Sequence, residues 1–250
     1  MKILWPVPSS RRIQLEQEEI HLWVAELDAL AGAFEEMCLL LSPDERTRAQ
    51  RYRFPKDKNR FVLRRGLLRQ FLNRYLPDAG AEFRFAIGPA GKPELVLSPG
   101  SEPLHFSVSH SHGLALYAFT LLAPVGVDIE CVRPIDNLLG VAARVFLQPE
   151  TEALRALPDA SRLEAFYNCW TRKEACLKAM GLDLEQGLAG VEVTLVPGEP
   201  ARVLNFMGEA GVKAQWFLQV LQPAEGYVAA LACRGPVPRL VCYAYPTVPP

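Results

Sequence analysis

Residues Asn168–Gly181 read NCWTRKEACLKAMG. Most of them favour helix. Trp170, Glu174 and Lys178 recur at intervals of four, so an aromatic ring, an acid and a base share one helical face. Lys173 stands beside them. A salt-bridged surface helix has this pattern, and so does one wall of a site. On a surface, a Glu–Lys pair four apart is worth only about 0.3–0.5 kcal/mol, and Trp170 reads more simply as core. The choice depends on what else in the chain can meet this face.

Forty residues upstream, Gly126–Glu130 reads GVDIE. A strand here points Asp128 and Glu130 to the same side. Two acids on one strand face repel each other unless a cation sits between them, and Mg²⁺ is the usual partner where phosphates supply further ligands. The plainer reading is an edge strand whose acids face water. Glu174 supplies a possible third carboxylate, while Lys173 and Lys178 are candidates to neutralise phosphate oxygens. Between these acids and the start of the chain, Phe106–Gly113 reads FSVSHSHG. Ser109, His110, Ser111 and His112 there can hold an anion or simply form a turn. No GxSxG elbow, P-loop or GxGxxG accompanies them.

The surrounding pattern is mixed. A strand is predicted over 19–27 and a helix over 28–40. Ser42-Pro43-Asp44-Glu45 carries a capping box with proline at the first helical position, and a further helix is predicted over 57–76. Strands follow at 82–86, 94–97, 104–110, 113–120 and 125–130, then helices at 137–146, 149–156 and 160–180. Strands at 190–196, 201–206, 213–221, 226–233 and 239–244 finish the chain. Each half runs from helices into a hairpin, and FSVSHSHGLALYAFT is loosely similar to FLQVLQPAEGYVAALA. The expected fold is therefore α+β, with two similar α/β halves, residues 1–122 and 123–250, related by a pseudo-twofold with the site at their interface.

The 250 residues are 50% hydrophobic and 22% charged, ordinary values for a globular protein. The opening MKILWPVPSS lacks a sustained apolar run, and no stretch is long enough to span a membrane. Six cysteines form no CxxC pair, so a reduced, cytoplasmic setting is expected. The net charge of −1 hides an asymmetry: Asp44–Tyr75 holds eleven Lys or Arg against three acids. Such a block is a solvated helix surface, a phosphate site or a nucleic-acid patch. Within it, Arg60 and Arg64 share one face, and Arg65 and Arg69 another.

GKPEL, FSVSHS, GVDIE and WTRKEACLKA occur in the order and approximate spacing of the Sfp-type phosphopantetheinyl transferases, which the chain resembles from about Ser42 to Gly190. The resemblance implies an enzyme that moves the phosphopantetheine arm of coenzyme A to a serine of an apo acyl or peptidyl carrier protein. It also implies that Asp128, Glu130 and Glu174 bind Mg²⁺ with the coenzyme A pyrophosphate and that Lys178 contacts phosphate. Ser109 and His110 would hold the ribose phosphate, Gly91 and Lys92 would lie beside the nucleotide, and Arg48 would contact coenzyme A. Arg64 and Arg65 fall nearby, and the sequence does not choose between them. Two departures stand out: Ser107 occupies a position where Asn is frequent, and Gly181-Leu182-Asp183-Leu184 replaces G-x-G-L.

In chemical terms, Glu174 is the best-placed base for a carrier serine, with Lys178 offsetting negative charge. The basic helices suit a polyanionic cofactor and an acidic carrier. A monomer is expected, with neither nucleic acid nor membrane as a partner. The competing readings are a metal-dependent nuclease or phosphohydrolase, which also uses D-x-E with a distal Glu and Lys, and a non-enzymatic nucleotide- or carrier-binding module.

Overall fold

The computed structural model describes residues 4–8, 13–77, 83–88, 91–96, 103–183, 187–208 and 215–247. The predicted starts of the strands at 82 and 213, the predicted end at 97, and the last residues of the proline-rich tail lie outside them.

The first half opens with strand β1 (Glu19–Glu26), whose residues are almost all buried. The predicted helix over 28–40 divides into a 3-10 stretch, Leu27–Ala33, and helix α1, Phe34–Leu40. Leu30 leaves helical geometry (φ −96°, ψ 15°), and Gly32, a weak helix former, follows it. Helix α2 (Pro43–Gln50) starts as its sequence predicts. The Ser42 side chain accepts from Glu45 N, and the Glu45 carboxylate accepts from Ser42 N. Helix α3 (Pro55–Tyr75) buries Phe61, Leu68, Phe71 and Leu72. A short ribbon, β2 (Arg84–Ile87) with β3 (Pro93–Val96), leads into the hairpin β4 (His105–Ser111) and β5 (Leu114–Thr120).

The second half repeats that order with strand β6 (Val125–Cys131) and helices α4 (Leu138–Val145), α5 (Gln148–Ala156) and α6 (Asp159–Met180). The ribbon β7 (Val191–Val193) with β8 (Val203–Phe206) and the hairpin β9 (Trp216–Leu221) with β10 (Tyr227–Arg234) complete it. Sheet pairing corresponds as well: the order is β1-β5-β4 in one half and β6-β10-β9 in the other, antiparallel throughout.

One strand breaks the correspondence. Strand β11 (Arg239–Ala244) lies beyond residue 123 in sequence, yet it pairs in parallel with β1, with Glu19 opposite Arg239 and Val24 opposite Ala244. Tyr245, just after it, is buried in the first-half core. The final strand, from the 123–250 segment, thus joins the first sheet.

Two helix anchors are also matched. Glu45 is nearly buried and binds Arg65 and Arg69 of α3. Glu150, at the same capping position of α5, binds Lys173 of α6 at 2.6 Å. A buried carboxylate needs such a partner to offset lost hydration.

Candidate active site

The site forms where α6 crosses β6. A Cβ placed on Gly126 would lie 1.9 Å from Ala175 O and 2.5 Å from Ala179 N. Only glycine lets the helix backbone come this close to the strand. That approach brings one ligand-type oxygen each from Asp128, Glu130 and Glu174 to within 4.8 Å of one another. Asp128 and Glu174 are buried and Glu130 is half-buried.

The first half contributes through β4. Its alternate serines face β6 and occupy positions that backbone partners would otherwise take. Ser107 Oγ accepts from Val127 N (3.1 Å), Ser109 Oγ donates to Asp128 Oδ1 (2.7 Å), and Ser111 Oγ donates to Glu130 Oε2 (2.7 Å) while accepting from Cys131 N (3.1 Å). The serine at position 107 is therefore bonded across the seam, and its side chain reaches a backbone N–H rather than a carboxylate.

Lys178 Nζ completes the cluster. It binds Asp128 Oδ1 at 2.6 Å, Glu174 Oε2 at 3.1 Å and Ser109 Oγ at 3.2 Å, with its side chain 28% exposed. Burial works against its charge, but Asp128 and Glu174 outweigh burial and raise its pKa. Burial and then repulsion from Asp128 push the Glu174 pKa up to about 7, against the opposing pull of Lys178. Burial likewise raises Glu130, and Ser111 partly offsets it. Asp128 Oδ2 is buried without a hydrogen-bond partner. Three carboxylates with one orphaned oxygen fit a hard divalent cation with oxygen ligands, Mg²⁺ among them.

Beside the cluster lies a cleft of about 280 Å³ lined by Arg64, Gly91, Lys92, Ser107, Glu174 and Lys178, among others. Gly91 sits at φ +76°, a conformation that glycine adopts without strain. Lys92 Nζ donates to Lys178 O (2.7 Å) and Val125 O (3.0 Å), so the ribbon turn is pinned to the end of α6 and the start of β6. Burial lowers its pKa to about 8. Helix α6 ends at Gly181, with φ +62°. Leu184, part of the departure from G-x-G-L, lies outside the described residues.

The structure separates the two neighbouring arginines. Arg65 binds Glu45, whereas Arg64 has no acidic partner among the described residues, and its Nε is buried and unpaired. The Arg64 and Arg48 guanidinium groups both lie over the Phe61 ring, at 5.8 and 5.5 Å from its centroid. Arg48 itself faces an adjoining cavity of about 640 Å³ with Asp44, Thr47, Arg51 and Tyr52, outside the cleft lining. Both arginines line the cleft, Arg65 tied to Glu45 and Arg64 without an acidic partner among the described residues.

Two groupings expected from sequence come apart. Strand alternation turns Ser109 and His110 to opposite faces of β4, Ser109 toward the carboxylates and His110 outward. Burial, then Arg64, Lys178 and Arg60, lowers the His110 pKa to about 4. Lys173 does not join Lys178. It is fully buried, bonded to Glu150 and to Val191 O, and so corrects the expectation that it neutralises phosphate. Successive helix residues point about 100° apart, since 3.6 residues make a turn, so adjacent Lys173 and Glu174 serve different surroundings. Trp170 stacks near-parallel to Phe166, with ring centroids 6.5 Å apart, beside the second core.

Comparison with known proteins adds an independent line. Residues 124–232 match the family model described as the 4'-phosphopantetheinyl transferase superfamily, and residues 26–121 match that of the 4'-phosphopantetheinyl transferase N-terminal region. The 4'-phosphopantetheinyl transferase HetI of Nostoc sp. is 36% identical over 229 residues, covering 92% of this chain and 93% of its own. The transferase Sfp of Bacillus subtilis is 30% identical over 161 residues, 64% of this chain and 69% of its own. The transferase AcpT of Salmonella typhimurium is 39% identical over 94 residues, 38% of this chain and 47% of its own.

Proposed function

Because the chain belongs to the 4'-phosphopantetheinyl transferase superfamily, we propose how its side chains divide the work of that reaction. The enzyme modifies carrier proteins with the phosphopantetheine arm of coenzyme A. The observation that carries the finer assignment is the convergence of Asp128, Glu130, Glu174 and Lys178 at one end of a basic cleft.

Asp128, Glu130 and Glu174 would hold Mg²⁺, which when bound offsets the charge of the coenzyme A pyrophosphate. Lys178 sits where it can neutralise a further phosphate oxygen. Lys92 has a third ammonium donor beyond its two backbone bonds, and Arg64 and Arg48 extend the positive surface. His110, whose pKa Arg64 helps to lower, would take the nucleotide end. With a pKa near 7, Glu174 can take the proton of a carrier serine at neutral pH. The serine oxygen then bonds to the phosphorus that carries the pantetheine arm, and the bond from that phosphorus to the bridging oxygen breaks. Adenosine bisphosphate leaves with the bridging oxygen.

The reading includes two halves related by a pseudo-twofold with the site between them, supported by matched element order, sheet order and carboxylate anchors. It also includes a monomer in the cytoplasm, the latter supported by six free cysteines. Incubation with coenzyme A, Mg²⁺ and an apo-carrier, followed by intact-mass measurement, tests it. The carrier should gain one phosphopantetheine, and chelation should stop the gain. Transfer that survives chelation would remove the metal assignment. Cleavage of nucleic acid without carrier modification would restore the nuclease reading.

A further inference from the structure

We propose that Ser111 is a positioning residue for the divalent-cation site, acting from the first half on a carboxylate of the second. The inference rests on the cation reading above and extends it to a side chain that touches neither phosphate nor substrate.

Ser111 Oγ accepts the Cys131 N–H at 3.1 Å, so its own proton is free to point elsewhere, and Glu130 Oε2 lies 2.7 Å away. A hydroxyl that already accepts from a backbone donor is a fixed donor, because rotation would break one bond or the other. The contact is nearly buried, with Ser111 8% exposed. With Oε2 so engaged, the second oxygen of Glu130 remains available to the cation. Ser109 treats Asp128 in the same way, engaging Oδ1 while Oδ2 stays unpartnered. Ser107, two residues further back on the same face, makes the same kind of crossing but ends on a backbone N–H and touches no carboxylate. It therefore serves as an internal control for loss of seam contacts alone.

Removing an outer partner of a metal ligand typically weakens metal binding about 10–100-fold. The experiment uses Mn²⁺ alone as the probe, titrated by electron paramagnetic resonance into the full-length protein with neither coenzyme A nor carrier present, so that the cleft lined by Ser107 is empty and no turnover occurs. Ser111→Ala should weaken Mn²⁺ binding by at least about tenfold. Ser111→Thr, which keeps the hydroxyl on a strand, should restore it. Ser107→Ala should lower the melting temperature yet leave Mn²⁺ affinity at the wild-type level. If wild type, Ser111→Ala and Ser107→Ala bind Mn²⁺ alike, the role of Ser111 is overturned while the cation site stands. Equal weakening by Ser107→Ala and Ser111→Ala overturns it too, because the effect would then belong to the seam as a whole. If wild type itself binds no Mn²⁺, both the proposal and the cation reading fail.

Discussion

On the proposed reading, Glu174 does two things that demand opposite charges on its surroundings. A cation ligand works best ionised, and a base works best with a pKa near the working pH. Burial beside Asp128 favours the second, and Lys178 keeps the first within reach. In the metal-free protein this has a measurable sign. The folded-state pKa of about 7 exceeds the ordinary carboxyl value of 4.5. The neutral form is therefore preferred by the fold, and the stability it contributes is complete below about pH 4.5 and lost as pH rises through about 7. Chelator-treated wild type should lose stability relative to Glu174→Gln between pH 5 and 8, on the order of 2 kcal/mol. Thermal unfolding of both proteins across that range checks it, and parallel pH curves would contradict it. In turnover, Glu174→Gln should lower kcat about 10²–10⁴-fold even at saturating Mg²⁺. Recovery in excess Mg²⁺ would reduce Glu174 to a ligand.

The arginine pair gives a second test at the same scale. Arg64→Ala should weaken coenzyme A binding by about 1.5–3 kcal/mol, the loss of one charge-assisted contact, with little change in stability. Arg65→Ala, at a residue that also lines the cleft, should in addition lower stability, since it strips one of two cations from the buried Glu45. Calorimetric binding and melting measurements on the two variants check this, and an equal loss of stability in both would contradict it.

Among the elements, α6 carries the most information and also the part that sequence reading missed. Its boundaries and the core role of Trp170 could be read from periodicity, whereas the meeting of Glu174 with the DIE strand was implied only by the family resemblance. The burial of Lys173 could not be read, because nothing local says that α5 will place Glu150 against it. The sequence marked Ser109 and Ser111 as an anion site or a turn, and could not show that the β4 serines bond across to another sheet, where their partners lie. The parallel pairing of β11 with β1 joins residues more than two hundred apart, which no local pattern encodes. Two predictions belong here. Gly126→Ala should force α6 away from β6 and cost at least the about 1–3 kcal/mol of overpacking, with transfer lost alongside. Lys173→Ala leaves Glu150 buried without its cation, held only by the N–H groups of Leu147 and Val193, which should cost about 3–5 kcal/mol. Denaturant unfolding measures both, and a change below 1 kcal/mol, an ordinary surface effect, would show that the contact is not what holds the helix.

At the scale of the whole molecule, each half offers the other an edge strand. The edge of β6 is met by the β4 serines, and that seam holds the acids. The corresponding edge of β1 is covered by β11, and its surroundings are aromatic: Trp23 packs against Phe71 and Tyr243, and its Nε1 donates to Tyr75. Because β11 covers that edge of β1, and Asp128, Glu130 and Glu174 form the single cluster of potential ligands among the described residues, the proposed site predicts saturation by one equivalent of divalent cation per polypeptide.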